Sequence, residues 1–386
     1  MARVARVIED GRRFYERLLE ENGVLVVRGH ARFRGDALSV GDEDGETELR
    51  GVPTVLAVGA RPWIAPIAGI EDVSYLTSDD LVRLSDLPAS LVIGGAGPIA
   101  CEFAQALNRL GVEVTMVLRS DTPLRGEEPE TRETLLRVLR EEGVHVVTGA
   151  RHIGARHVPG GTELYWIGGS VTAEALLVAT GREPTVDDTH PAEAGIVMHD
   201  GGARVDGHLE TSAPGVWALG DAIGGDHRRF QFTHVATHEG PQVAENALRS
   251  AHHEPHYAAM PRVTFTDPEV ASVGLTEADA RDQGISPHTR IKQIRELGKA
   301  RALGETEGFV KVVIDSASGK LVGATIVAAH AGDMIASLTT PLHTRSGDLG
   351  PLLATTFAHP TLSEAVKVAV RDAVASAPAP EAEMTS

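Results

Sequence analysis

The pattern of apolar and polar positions predicts a mixed α/β protein. Apolar residues at helical spacing over residues 4–21 predict an amphipathic helix, whereas short apolar runs at residues 24–27, 37–40 and 54–58 predict strands. Glycines and prolines between residues 59 and 69 interrupt this pattern and predict a loop.

The next segment predicts a strand–helix–strand unit. Its elements are an apolar strand at residues 91–93, a helix at 98–109 and a second strand at 112–118. Its length of about thirty residues is typical of a dinucleotide-binding crossover. A further helix at 130–141 and a strand at 144–147 extend the unit.

The rest of the chain predicts strands and helices in mixed order. A strand at residues 175–179 is followed by Gly-x-x-Pro, as is the strand before Gly59, so this pattern occurs twice. Later runs predict strands at 262–265, 309–314 and 321–327, and helices at 331–338 and 363–374. The Ala-, Pro- and Glu-rich residues 377–386 are predicted to be a disordered tail.

Length and charge narrow the function classes. A chain of 386 residues predicts two or three domains, and its net charge of -18 argues against nucleic-acid and anionic-membrane partners. No apolar run of about 18 residues is present, and the first residues carry charges where a signal peptide needs an apolar run. These features predict a cytoplasmic protein that acts on small molecules.

The clearest chemical motif is Gly95-Ala96-Gly97-Pro98-Ile99-Ala100, directly after a predicted strand. Gly95 permits a tight turn, Gly97 leaves room for a pyrophosphate, and Ala100 is small enough for close packing of helix and strand. We therefore predict that these three residues bind a dinucleotide.

The end of the second strand favours NADPH over NADH. An NAD site needs a carboxylate there, whereas an NADP site needs arginine for the 2′-phosphate. The sequence has Arg119 and Arg125, and the nearest acid, Asp121, lies beyond the strand end. The alternative is that both arginines are solvent-exposed loop residues.

Together the motifs resemble the class I flavoprotein (pyridine nucleotide-) disulfide oxidoreductases, which include mercuric reductase, dihydrolipoamide dehydrogenase and glutathione reductase. The resemblance covers nearly the whole chain. Six segments carry it: residues 57–59, 95–102, 178–182, 216–221, 265–274 and 359–364.

The resemblance implies that the cofactors are FAD and NADP. In such proteins the pair Gly220 and Asp221 binds the flavin, with the aspartate accepting from a ribityl hydroxyl. Thr233 begins the next flavin contact, and Gly59 and Gly181 belong to the cofactor-binding motifs. The alternative for Gly220 and Asp221 is a turn that ends a strand.

The resemblance also implies three catalytic residues. His359 and Glu364 match an acid–base pair that serves the thiols of the partner subunit in a homodimer, and Glu102 matches an acid near the nicotinamide and flavin. An imidazole held by a carboxylate suits proton transfer to a thiolate. The alternative is that His359 only precedes a helix in a turn.

The implied fold is α/β, with FAD/NAD(P)-binding Rossmann-like domains and a C-terminal α+β dimerisation domain. The expected domains are a remnant of the FAD-binding domain, an NAD(P)-binding domain, a central FAD-contacting segment and the dimerisation domain. Their expected boundaries are residues 1–75, 76–182, 183–255 and 257–376.

One departure from the family changes the functional prediction. Family members begin with a βαβ unit for FAD and a Cys-x4-Cys pair, and neither is present in these residues, where the single cysteine, Cys101, is expected to be a buried small hydrophobe. We therefore expect a truncated chain that does not reduce disulfides.

The leading hypothesis is an NADPH-dependent FAD oxidoreductase that passes hydride to a disulfide or another small-molecule acceptor. The alternatives are a catalytically silent NADPH-binding dimer and a thiol-independent flavin reductase or NADPH oxidase. No metal site is expected, because Pro255 keeps His252, His253 and His256 from sharing one helical face. The sequence does not identify the electron acceptor.

Overall fold

A computed structural model describes residues 2–42, 45–51 and 53–377. The predicted tail lies outside the described residues except for Ala377, which follows the last helix. No helix in the described part of the chain is long and apolar enough to cross a membrane.

The described residues form eleven α-helices, which are in chain order α1 Ala2–Glu21, α2 Ser78–Leu81, α3 Pro98–Arg109, α4 Pro129–Glu141, α5 Thr233–Arg249, α6 Glu277–Asp282, α7 Gly298–Leu303, α8 Ala331–Met334, α9 Ala336–His343, α10 Gly350–Ala354 and α11 Glu364–Ser376. They also form 21 strands, which are β1 His30–Arg34, β2 Ala37–Asp42, β3 Gly45–Arg50, β4 Thr54–Leu56, β5 Ala60–Pro62, β6 Ser90–Gly94, β7 Glu113–Val117, β8 His145–Val147, β9 Gly154–Val158, β10 Gly161–Trp166, β11 Gly169–Ala173, β12 Ala175–Val178, β13 Arg182–Pro184, β14 Met198–His199, β15 Gly202–Ala203, β16 Val216–Ala218, β17 Arg262–Thr264, β18 Glu269–Gly274, β19 Pro287–Gln293, β20 Phe309–Asp315 and β21 Leu321–Ala328.

The chain divides into two compact units. The first unit comprises Met1–Ala65, Leu76–Leu87 and Gly181–Pro255, and the second comprises Pro66–Tyr75, Pro88–Thr180 and His256–Ser386. The domain boundaries expected from the resemblance stay a prediction.

Small sheets build the first unit. Strands β1, β2 and β3 form an antiparallel sheet, β4 pairs in parallel with β16, and β5 pairs antiparallel with β13. The last pairing joins the two Gly-x-x-Pro segments, with Arg182 opposite Pro62. Leu56, Val186 and Trp217 belong to the apolar core of this unit.

Several predictions for the first unit need correction. The amphipathic helix is present as α1, but residues 24–27 form no strand, and Leu25 is 81% exposed. A strand needs a hydrogen-bonded neighbour, and no strand among the described residues pairs with this segment. The strand predicted at 54–58 is only β4, and the loop predicted after it contains β5.

Two larger sheets build the second unit. The first is parallel, in the order β12-β6-β7-β8, and α3 crosses between β6 and β7 as the sequence predicts. The second is antiparallel, in the order β17-β18-β21-β20-β19, with α11 against β19 and β20. The helix predicted at 331–338 is instead two helices, α8 and α9.

A buried lysine connects the two sheet regions of the second unit. Lys311 lies on β20 with its side chain 2% exposed, and its amine contacts Glu128 at 3.0 Å, Glu130 at 3.0 Å and Glu277 at 3.1 Å. Glu128 precedes α4 and is itself 2% exposed at its side chain. Buried charges of this kind are tolerated only when they are paired.

Lys311→Ala should destabilise the chain strongly, because it leaves the carboxylate of Glu128 buried without its cation. We expect the free energy of unfolding to fall by about 3–5 kcal/mol, measured by urea denaturation. The control is Lys292→Ala, which removes an ion pair with the half-exposed Glu296 and should cost less than about 1 kcal/mol. Equal losses in the two variants would contradict this assignment.

Candidate functional site

The turn between β6 and α3 forces two backbones close together. Gly95 has φ 157°, and a Cβ built there would lie 2.3 Å from the carbonyl oxygen of Ala179. The same built Cβ would lie 3.3 Å from the Cβ of Ala100, and Ala100 is fully buried. Small residues are therefore required where β6, α3 and the end of β12 meet.

Gly97 serves a different purpose in this turn. Its backbone is extended, with φ -84°, and a built Cβ would meet no protein atom within 4 Å. Gly97 is also the N-cap of α3, and no side chain caps that helix start. The open space lies at a helix N-terminus, where backbone N–H groups favour phosphate. The residues present therefore fit a pyrophosphate group.

The segment after β7 carries the two predicted arginines. Leu124 N–H donates to the carbonyl of Ala96 at 2.9 Å, which ties this segment to the dinucleotide turn. Arg119 and Arg125 flank the tied segment, and both are exposed. Within the described residues neither guanidinium forms an ion pair, so both are available to an anionic ligand.

Glu102 lies on α3, one turn beyond its start. Its carboxylate accepts the N–H of Phe265 at 2.8 Å. Burial raises the pKa of Glu102, and the hydrogen bond from Phe265 opposes that rise. The side chain is therefore a partly desolvated acid beside the dinucleotide turn.

In the first unit, the turn at Gly220 packs against the start of α5. Gly220 has φ 58°, and a built Cβ would lie 2.8 Å from that of Ala236. Its N–H donates to the buried Glu239 at 2.6 Å. Thr233 begins α5, and no side chain caps this helix.

Asp221 follows Gly220 and stays partly solvated. Burial raises its pKa, while the charges of Arg182, 4.0 Å away, and His227 oppose the rise. A half-buried carboxylate at a turn fits a cofactor hydroxyl, which can donate to it. The donors and acceptors present therefore fit the ribityl chain of a flavin.

Gly59 and Gly181 lie at the paired Gly-x-x-Pro segments of the same unit. Thr185 N–H donates to the carbonyl of Gly59 at 3.1 Å, and Trp63 N–H donates to that of Gly181 at 2.9 Å. Both glycines have positive φ, at 71° and 144°. The structure therefore places the two glycines at opposite ends of one small antiparallel sheet, and the Arg182 side chain lies 4.0 Å from Asp221.

His359 and Glu364 form a hydrogen-bonded pair at the start of α11, of which Glu364 is the first residue. His359 Nδ1 lies 3.0 Å from Glu364 Oε1, and Thr361 N–H donates to Glu364 Oε2 at 3.0 Å. The hydrogen bonds from Thr361 and His359 lower the pKa of Glu364. The carboxylate therefore stays ionised and orients an imidazole whose side chain is 79% exposed.

Comparison with known protein families identifies the chain. Residues 3–240 match the family model for pyridine nucleotide-disulphide oxidoreductases. The chain belongs to this family. Residues 260–370 match the dimerisation domain of the same oxidoreductases, which corresponds to the antiparallel sheet and α11. Its members are FAD-dependent NAD(P)H oxidoreductases with α/β folds, so the predicted family and fold class are confirmed.

Mercuric reductases are among the relatives of this chain. The chain is 35% identical to that of Streptomyces lividans over 92% of its own length and 76% of the relative. It is 34% identical to that of Staphylococcus aureus and 32% identical to that of Bacillus cereus. The chain spans 59% and 56% of the length of these two proteins.

Solved structures agree with this assignment. LpdA from Mycobacterium tuberculosis superposes with a TM-score of 0.87 at 25% identity, over 96% of this chain and 82% of LpdA. The HOCl-induced flavoprotein disulfide reductase RclA from Escherichia coli superposes with a TM-score of 0.82 at 25% identity, over 97% of this chain and 86% of RclA.

The sequence alone does not predict two sets of contacts that the structure shows. The run from His227 to Arg229 reads as a charged loop, yet the side chain of His227 is 8% exposed and lies 3.2 Å from Glu239. The contacts of α3 with Phe265 were also missed, and only the position of Glu102 within the motif hinted at them. No cluster of His, Cys, Asp or Glu in the described ranges is suited to hold a metal ion.

Gly97→Ala should weaken dinucleotide binding without unfolding the chain, because its methyl group enters only the space proposed for the pyrophosphate. We expect NADPH affinity to fall at least about tenfold by calorimetry, with an unchanged melting temperature. The comparison variant Gly95→Ala should lower both the NADPH affinity and the melting temperature, since its methyl group would collide with the carbonyl of Ala179. Unchanged affinity in Gly97→Ala would contradict the site.

Proposed function

We propose that the chain is an NADPH-dependent FAD oxidoreductase that acts as a homodimer and passes reducing equivalents to a small acceptor. The observation that carries this proposal is the open turn at Gly97, with two arginines beside it that form no ion pair among the described residues. When bound, FAD supplies the two-electron redox chemistry between nicotinamide and acceptor.

The preference for NADPH rests on Arg119 and Arg125. Both are exposed and without ion pairs among the described residues, and the segment between them is tied to Ala96. Guanidinium groups bind phosphate strongly through paired N–H donors. Residues 118–120, which follow β7 and are all described, are Leu, Arg and Ser, so the strand end offers no carboxylate to a ribose hydroxyl as an NAD site would require.

The double variant Arg119→Ser, Arg125→Ser should lose selectivity for NADPH. Its affinity for NADPH should fall about ten- to a hundredfold, since two charge-assisted hydrogen bonds are removed, whereas that for NADH should stay within about twofold. Calorimetric titration with each cofactor measures this. Arg50→Ser removes an exposed arginine on β3 and serves as the control, and equal losses for the two cofactors would contradict the proposal.

FAD would be held by Gly220, Asp221 and the start of α5 at Thr233, together with the backbone at Gly59 and Gly181. The positive φ of Gly220 and the partly desolvated carboxylate of Asp221 support this assignment. Asp221 would accept a hydrogen bond from a sugar-chain hydroxyl.

The pair of His359 and Glu364 would move protons. Glu364 binds Nδ1 of the imidazole, which leaves Nε2 directed to other partners. The match to a dimerisation domain supports action of this pair in a homodimer. Glu102, beside the dinucleotide turn, would position the nicotinamide half of NADPH.

The thiol chemistry of these 386 residues supports disulfide reduction less well than reduction of an acceptor that needs no thiol. The sequence has one cysteine, Cys101, which is fully buried, and burial raises the pKa of its thiol to about 12. A buried neutral thiol is a poor nucleophile. This observation favours a flavin reductase or NADPH oxidase activity as the second candidate function.

Activity assays on these 386 residues, loaded with FAD, should separate the two acceptors. We expect NADPH oxidation with dioxygen or free flavin above background, and glutathione disulfide reduction no faster than background, because no thiol pair is present. Formation of glutathione thiol, measured directly, would refute the disulfide part of this expectation. Absence of NADPH oxidation would favour a silent NADPH-binding dimer.

A further inference from the structure

Helix α1 carries a stripe of large apolar side chains that the rest of the described chain does not cover. Five of them are each between 43% and 65% exposed, namely Val7, Ile8, Phe14, Tyr15 and Leu18. Of residues 3–21 none is buried. A helix in a protein gains most of its stability by packing its apolar face, so a stripe of this length marks a surface for another molecule.

The stripe has the spacing of a seam between paired helices. Val4, Val7, Gly11, Phe14 and Leu18 are separated alternately by three and four residues. This is the heptad spacing along which two α-helices pack side by side. The seam extends over most of α1, so the surface fits a second helix of similar length.

Gly11 lies in the middle of the seam, where it weakens the helix. A glycine in a helix interior costs about 1 kcal/mol relative to alanine. A Cβ built at Gly11 would meet no packing neighbour within 4 Å, so the chain itself gives no steric reason for glycine. In an antiparallel pair in which Val7 faces Leu18, Gly11 faces Phe14 of the second helix. The absent side chain then leaves room for the Phe14 ring.

The charges beside the seam favour the same arrangement. Asp10 and Arg17 lie along one flank of the stripe, and neither forms an ion pair in the described part of the chain, whereas the nearby Arg13 pairs with Glu9 at 2.9 Å. In an antiparallel pair the corresponding flanks of the two helices meet. Asp10 of each copy then lies beside Arg17 of the other copy, and both charges are paired.

Other arrangements of two α1 helices match less well. When one helix of the antiparallel pair is shifted by seven residues, Asp10 meets Asp10 and Arg3 meets Arg17, so like charges face each other. In a parallel pair Gly11 faces Gly11, which leaves a cavity in the seam, and Asp10 lies beside Tyr15 instead of a cation. Packing and charge therefore favour one direction and one register.

We propose that α1 is a self-association surface that pairs with α1 of a second copy of this chain in the antiparallel direction. Each Gly11 receives the Phe14 ring of the other copy. Each Asp10 lies beside the other copy's Arg17. The contact lies outside residues 260–370, which match the dimerisation domain, and it requires neither NADPH nor FAD.

Cysteine cross-linking of the full chain tests the direction and register of the pair. Val7→Cys and Leu18→Cys are co-expressed with tags of different size and oxidised in the folded state. Positions 7 and 18 of opposite helices would lie within disulfide distance, whereas two copies of position 7 would lie about 16 Å apart along the helix axis. We expect the mixed disulfide to form at least about five times more than either symmetric disulfide.

Leu248→Cys is the control for random collision, because Leu248 is exposed on α5 of the same compact unit and lies outside the seam. Co-expressed with Val7→Cys, it should give little mixed disulfide. A dominant symmetric disulfide at position 7 would indicate a parallel pair and overturn the proposal. A yield of the 7–18 disulfide no higher than that of the Leu248→Cys control would also overturn it.

A charge exchange tests the flank without altering the seam. Asp10→Arg and Arg17→Asp each set like charges against each other, so each should lower the yield of the 7–18 disulfide about five- to tenfold at concentrations below saturation. The double variant exchanges both charges and should restore the yield. Positions 10 and 17 are about 10 Å apart on one helix, so recovery cannot come from pairing within one chain. A double variant that stays as low as the single variants would overturn the register.

Discussion

The amine of Lys311 is the contact on which the second unit depends. It neutralises Glu128, which precedes α4 in a segment that begins just after Arg125. The neighbouring Glu127 is also engaged, since it pairs with Arg262 at 3.1 Å and accepts from Ser272. The antiparallel sheet thus contacts the end of the segment at Glu127 and Glu128, and the carbonyl of Ala96 accepts the N–H of Leu124 within the same segment. The segment that carries the two arginines proposed to bind NADPH is therefore anchored at one end by buried ion pairs.

The parts of the fold that could be predicted from the sequence are those set by local pattern. The βαβ unit around α3 has its turn residues, helix and second strand within thirty residues, so spacing and small side chains determine it. Pairings between distant segments could not be predicted. The segments at Ala60 and Pro184 look alike in the sequence, but only the structure shows that they pair with each other.

The candidate site divides in the same way. His359 and Glu364 are five residues apart, and their hydrogen bond follows from a short turn into α11. By contrast, Phe265 and Glu102 are separated by 163 positions. The ion pairs of Lys311 could not be predicted either, because a single lysine within an apolar strand gives no indication of which carboxylates approach it. The sequence around His227 predicts a solvated loop, because its partner Glu239 lies on a separate helix, α5.

The burial of Cys101 has a practical consequence. The Cys101 side chain lies on the buried face of α3 and is fully shielded from solvent. Maleimides and other thiol reagents therefore have no route to its thiol while the chain is folded. A cysteine introduced on the surface of this chain would be the sole reactive thiol. The unmodified sequence is therefore a ready background for site-specific spin labels or fluorophores, and distances between the two compact units become measurable without first removing a native residue.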